Sequence, residues 1–89
     1  MNLSRKHHRT LCAIFEEPLR ANVRWAEIEH LLNALGAEIS EGRGSRVRIH
    51  LAGVRAVFHR PHPEPNTDKG ALKSMRNFLR SAGVRPEDY

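Results

Sequence analysis

The sequence predicts an α+β fold in which helices cover one face of a three-stranded antiparallel sheet and leave the other face open. Three observations lead there. Apolar and polar residues alternate from Arg46 to His59, with one break at Ala52-Gly53. Before and after this stretch, apolar residues recur at helical spacing. Glycines and prolines fall between these segments, where turns and helix ends are needed.

In chain order, Ser4 to Glu16 reads as a first helix, with Ser4 as N-cap, Leu11, Ile14 and Phe15 on one side, and Pro18 ending it. Its first half, Arg5-Lys6-His7-His8-Arg9, is basic and reads as a solvated face. Cys12 reads as a small core residue beside Leu11. A second helix is expected from about Val23 or Arg24 to Leu35, with Trp25, Ile28, Leu31, Leu32 and Leu35 as its apolar stripe and Gly36 just past its end. The spacing of Trp25 makes it a core residue rather than a stacking platform. Ala37 to Glu41 is a short strand, and Gly42-Arg43-Gly44 turns it into the next.

The hairpin that follows has a definite register if Ala52-Gly53 is a two-residue loop. Leu51 then faces Val54, Ile49 faces Ala56 and Val47 faces Phe58, apolar against apolar. His50 falls beside Arg55, and Arg46 beside His59, on the other face. Ala52 fits a type I′ turn poorly, because both central residues need positive φ, so a bulged turn at Gly53 is the alternative. Pro61, Pro63 and Pro65 stiffen the next stretch toward polyproline II as a rigid connector. Thr67 or Asp68 caps a last helix through Ala82, closed by Gly83, with Leu72, Met75, Phe78, Leu79 and Ala82 as its core face. Lys69, Lys73, Arg76 and Arg80 form a basic stripe on another side, either a solvated face or an extension of the hairpin's positive surface. Arg85 to Tyr89 reads as a frayed tail.

The 89 residues allow one domain, taken as 1–89, with one modest core. A net charge of +5 and six histidines suit a polyanionic partner, nucleic acid first among them. The single cysteine excludes an internal disulfide and suits a reducing compartment. The N-terminus lacks the apolar region of a secretory signal, and no apolar run is long enough to span a membrane, so a cytoplasmic protein is expected. His59-x-x-His62 lacks a third metal ligand, and no cofactor is implied.

The stretch from Val23 to Ala82 (23–82) resembles the HicA toxins, small mRNA interferases. The resemblance rests on the helix ending in Leu35-Gly36 before a strand and on the glycine turn with Gly44-Ser45 opening the middle strand. It also rests on the loop Arg60-Pro61-His62-Pro63, followed by Gly70-Ala71-Leu72-Lys73-Ser74-Met75. It implies a fold like double-stranded-RNA-binding domains, metal-independent cleavage of mRNA, and a HicB-like antitoxin as partner. The Ser4–Glu16 helix (4–16) is then an addition to the family core. The family usually carries its catalytic histidine directly after Gly-Ser; here that position is Arg46, which stays protonated and cannot be a general base.

Metal-free RNA cleavage needs a base, an acid and a cation at the phosphate; histidine suits the first two and arginine the third. The catalytic candidates are therefore His59, opposite Arg46, then His50, with Arg46 itself at the phosphate; His62 is a further imidazole on the loop. Candidate RNA contacts are Arg43, Gly44 and Ser45 in the glycine turn and Arg46, Arg48 and Arg55 on the strands. Arg60 and His62 on the proline loop and Lys69, Lys73 and Arg76 on the last helix complete the set. Two other readings stay open: an RNA-binding module of this fold without catalysis, and an interaction protein whose basic sheet docks an acidic partner.

Overall fold

A computed structural model describes residues 3–20 and 22–89. Met1 and Asn2, part of the N-terminal segment read above against a secretory signal, lie outside the described residues. The chain runs α1 (Arg5–Phe15), β1 (Val23–Arg24), α2 (Trp25–Ala34), β2 (Glu38–Glu41), β3 (Arg46–Leu51), β4 (Val54–His59), β5 (Asn66–Thr67), α3 (Lys69–Ser81) and a short 3₁₀ turn, Pro86–Asp88. It is the expected α+β arrangement: β2, β3 and β4 form an antiparallel sheet with β3 in the centre, consistent with a double-stranded-RNA-binding-domain-like fold.

The inner sheet face supplies Val47, Ile49, Leu51 and Phe58 to the core. From α2 come Trp25, Ile28, Leu31 and Leu32, and from α3 Leu72, Met75, Phe78 and Leu79. Phe58 joins the layers, with its ring centroid 5.9 Å from that of Trp25 and 6.1 Å, edge-on, from that of Phe78. Leu11 and Ile14 of α1 are fully buried in the same core. Each such aliphatic side chain contributes about 1.5–3 kcal/mol by leaving water. Helix starts follow their caps: the Ser4 hydroxyl accepts from His7 N–H at 3.2 Å, and Asp68 Oδ1 accepts from Ala71 N–H at 2.8 Å.

The hairpin register is the expected one at every pair, from Leu51 opposite Val54 to Arg46 opposite His59. The loop is not bulged. Ala52 adopts φ +50° and Gly53 φ +81°, so the two-residue turn is kept and Ala52 takes the left-handed conformation that suits strand twist. At Gly42 the constraint is space: a Cβ there would stand 3.0 Å from Arg46 Cβ, so a side chain at this position would push the turn and β3 apart by a few tenths of an ångström.

Four local expectations are corrected. Val23 and Arg24 do not begin the second helix. They pair with Thr67 and Asn66 in a second two-stranded ladder, and Trp25 N–H donates to Pro65 O at 3.1 Å. The proline segment is accordingly not a straight connector: it bends at His62-Pro63, where the peptide bond is cis, and ends as β5. Cys12 is exposed, because successive helical residues lie ~100° apart and the face next to Leu11 points outward. The C-terminus is held: Val84 is buried, Tyr89 packs against the core, and a ring nitrogen of His8 lies 3.2 Å from Pro86 O.

Candidate functional site

Strand alternation puts Arg46, Arg48 and His50 of β3 on the outer face, with Arg55, Val57 and His59 of β4 and Glu38 and Ser40 of β2. The registers arrange these as rungs across the sheet. Glu38, His50 and Arg55 form one rung; Ser40, Arg48 and Val57 the next; Arg46 and His59 the third. Rungs on one face are about 7 Å apart and strands about 4.8 Å. His50 and His59 therefore lie roughly 15 Å apart and cannot act as acid and base on the same phosphodiester.

The two ends of this face differ. At the first rung, His50 Nδ1 lies 3.2 Å from Glu38 Oε1. That rung and the next line a concavity of about 670 Å³. At the other end, Arg43, Arg46, Arg48, Val57 and Gly42 line a smaller hollow of about 200 Å³. Between them Val57, 58% exposed, is the large exposed hydrophobic residue of the described chain. Arg48 reaches the carbonyl of Glu41 at 3.3 Å, while Arg46, Arg55 and His59 are exposed.

The glycine turn and the proline loop meet at the Arg46–His59 end. Arg60 N–H donates to Ser45 O at 2.9 Å, and Arg46 N–H to Arg43 O at 3.0 Å. Arg43, Gly44, Ser45 and His62 are all exposed there. The Arg60 side chain, an expected RNA contact, is half-buried and already engaged by two carboxylates. It donates to Glu29 at 2.7 Å and to Glu41 at 2.6 Å, and Glu29 also accepts from the Trp25 indole N–H. These hydrogen bonds hold the Glu41 carboxyl below its ordinary range and the Arg60 guanidinium even more firmly protonated. With two carboxylates on it, Arg60 ties β2 to α2.

Arg76 departs further from the expected basic stripe. It is 7% exposed and donates to Ile14 O at 2.9 Å and to Glu16 O at 2.8 Å, with Glu17 2.9 Å away. It ties the end of α1 to α3. Lys69 and Lys73 are exposed on α3, the helix whose Phe78 packs against Phe58 on the inner side of the sheet. Among the described residues no group of three or more His, Cys, Asp or Glu is placed to hold a metal ion, and no helix is long and apolar enough to cross a membrane.

Sequence reasoning missed Glu38, Glu29 and Glu41. For Glu38 a signal existed: it alternates with Ala37 and Ile39, so it had to share the outer face. Only the β2–β3 register was needed to set it opposite His50.

Fold and site together define a small α+β protein with an open, cationic, imidazole-bearing sheet. The family described as the HicA toxin of bacterial toxin–antitoxin systems matches residues 25–84, which begins after α1. The chain belongs to this family: it is a HicA-like toxin of a toxin–antitoxin pair, and membership implies a cognate antitoxin. No curated protein and no solved structure matches the chain.

Proposed function

We infer that this toxin binds mRNA on the outer face of its sheet and cleaves it without a metal, in the cytoplasm where mRNA is translated. The observation that carries the reading is the clustering of Arg46, Arg48 and Arg55 with two histidines on one uncovered face of a HicA-family chain. Arginine can grip a phosphodiester through paired, charge-assisted hydrogen bonds. An imidazole can take the proton of a 2′-hydroxyl at neutral pH. A partner that masks such a toxin does so most simply by covering this face with acidic groups, so the antitoxin complex should lose RNA binding.

The test is incubation of the purified chain with single-stranded RNA in EDTA. Cleavage products that persist in EDTA are expected, and intact RNA would refute the enzymatic reading. A second reading is supported by Arg46, which stands where the family usually carries its histidine: the chain binds RNA and does not cut it. Tight, salt-sensitive binding without cleavage, together with cleavage gained in Arg46→His, selects that alternative.

A further inference from the structure

The His50 end of the outer face, not the Arg46 end, has the makings of a reaction centre. His50 is part of a three-strand rung with a carboxylate on one side and a guanidinium on the other. Its Nδ1 is within hydrogen-bonding distance of Glu38 Oε1, at 3.2 Å. Glu38, Ser40, Arg48, His50, Arg55 and Val57 line the larger concavity of the sheet. His59 has an arginine opposite it and no carboxylate hydrogen-bonded to its ring among the described residues. We propose that, in the RNA-cleaving activity inferred above and resting on it, His50 is the general base and Glu38 is its positioning residue, with Arg48 and Arg55 as the phosphate clamp.

The chemistry follows from the rung. With Nδ1–H donated to Glu38, the lone pair of a neutral ring is on Nε2. Nε2 takes the proton of the ribose 2′-hydroxyl. The 2′-oxygen–phosphorus bond forms as the phosphorus–5′-oxygen bond breaks, giving a 2′,3′-cyclic phosphate. The departing 5′-oxygen takes a proton from water, and the imidazolium neutralises the hydroxide left behind. Arg48 on the same strand and Arg55 on β4 offset the charge that builds on the phosphoryl oxygens and also counter the repulsion of the RNA by Glu38. Val57 supplies an apolar surface on which a base can rest. The groups facing His50 are thus Glu38 from β2, Arg48 on its own strand and Arg55 from β4.

The experiment measures kcat and KM on a short RNA oligonucleotide in EDTA for the full chain and for Glu38→Ala, Glu38→Asp, His50→Ala and His59→Ala. Binding is measured in parallel with the uncleavable 2′-O-methyl oligonucleotide, and folding by thermal denaturation. His50→Ala should lower kcat about 10²–10⁴-fold. Glu38→Ala should lower kcat on the order of 10–10²-fold, less than the ~10⁴ for a buried triad carboxylate, because the Glu38 side chain is 82% exposed. KM, oligonucleotide affinity and thermal midpoint should stay close to those of the parent, and Glu38→Asp should recover most of the loss. Parent-like kcat in Glu38→Ala, or a larger loss of kcat in His59→Ala than in His50→Ala, overturns the assignment while leaving the RNA-cleaving function standing. Absence of cleavage by the parent chain overturns both.

Discussion

Replacing Arg76 by methionine separates a structural arginine from an RNA contact. The change keeps a long side chain in the slot between α1 and α3 and removes every donor. The carbonyl of Ile14 is buried, so it loses a charged hydrogen bond worth about 1.5–3 kcal/mol with no water to replace it. The Glu16 carbonyl is only partly buried, so its loss is nearer ~1 kcal/mol. Glu17 is mostly exposed, and its ion pair with Arg76 adds little. The sum is about 2.5–4 kcal/mol, a large part of the ~5–15 kcal/mol that holds a domain folded.

For a chain of this length each kcal/mol moves the midpoint by about 4–8 °C, so Arg76→Met should melt about 10 °C or more below the parent. Arg76→Lys should recover only part of this, since an ammonium lacks the planar fork that reaches Ile14, Glu16 and Glu17 together. The assay is thermal and urea unfolding, with RNA titration at a temperature where both proteins are folded. RNA affinity should be that of the parent. A midpoint within ~2 °C of the parent, combined with weaker RNA binding and a shallower salt dependence, would refute the structural role and return Arg76 to the RNA-binding stripe.

RNA affinity should fall steeply with salt, and removing Arg46, Arg48 or Arg55 singly should flatten the log–log slope by about 0.7 each; an unchanged slope removes that arginine from the interface. Because Arg60 depresses the Glu41 carboxyl, that pair's contribution to stability is full above the ordinary carboxylate range and is lost as pH falls through the lower folded value. Urea midpoints should therefore drop toward acid in the parent, and Arg60→Gln should reduce that drop; equal pH dependence in both would show that the pair is not linked to folding. Ala52→Gly should raise stability by up to about 1.5 kcal/mol, since it relieves ~1–2 kcal/mol of left-handed strain and costs ~0.5–1 in chain entropy. A lower midpoint would mean that the turn is not held at positive φ.

The sheet was legible because a period of two admits few errors. A one-residue slip of β3 would have turned Val47, Ile49 and Leu51 out to water, and the two-residue loop then fixed β4 against it. The β1–β5 ladder was illegible because two residues carry no period, and its partner lies over forty residues away. The partners of Arg60 were illegible for a similar reason: the carboxylates that hold it are 31 and 19 residues distant, and nothing local distinguishes it from an arginine in solution. Arg76 was different, since the sequence held the signal. It stands four residues after Leu72 and three before Leu79, inside the apolar stripe of α3, where a charge must find partners or unfold the helix's packing.

These two arginines change what the net charge means. Counted as a sum, Arg60 and Arg76 belong with Arg46, Arg48 and Arg55 as equal candidates for a phosphate. Their surroundings differ in available acceptors: two carboxylates around Arg60, and two main-chain carbonyls with a carboxylate around Arg76. Both sites need several donors in one plane at fixed spacing, which a guanidinium supplies and an ammonium does not. The strand arginines have no comparable set of acceptors; their most prominent contact is the single 3.3 Å reach of Arg48 to the Glu41 carbonyl. A polyanion that displaced Arg60 or Arg76 would have to replace the bonds that tie β2 to α2 and α1 to α3. One that meets Arg46, Arg48 and Arg55 displaces little more than water, and for the function proposed here that difference in cost favours the open face of the sheet as the RNA-binding surface.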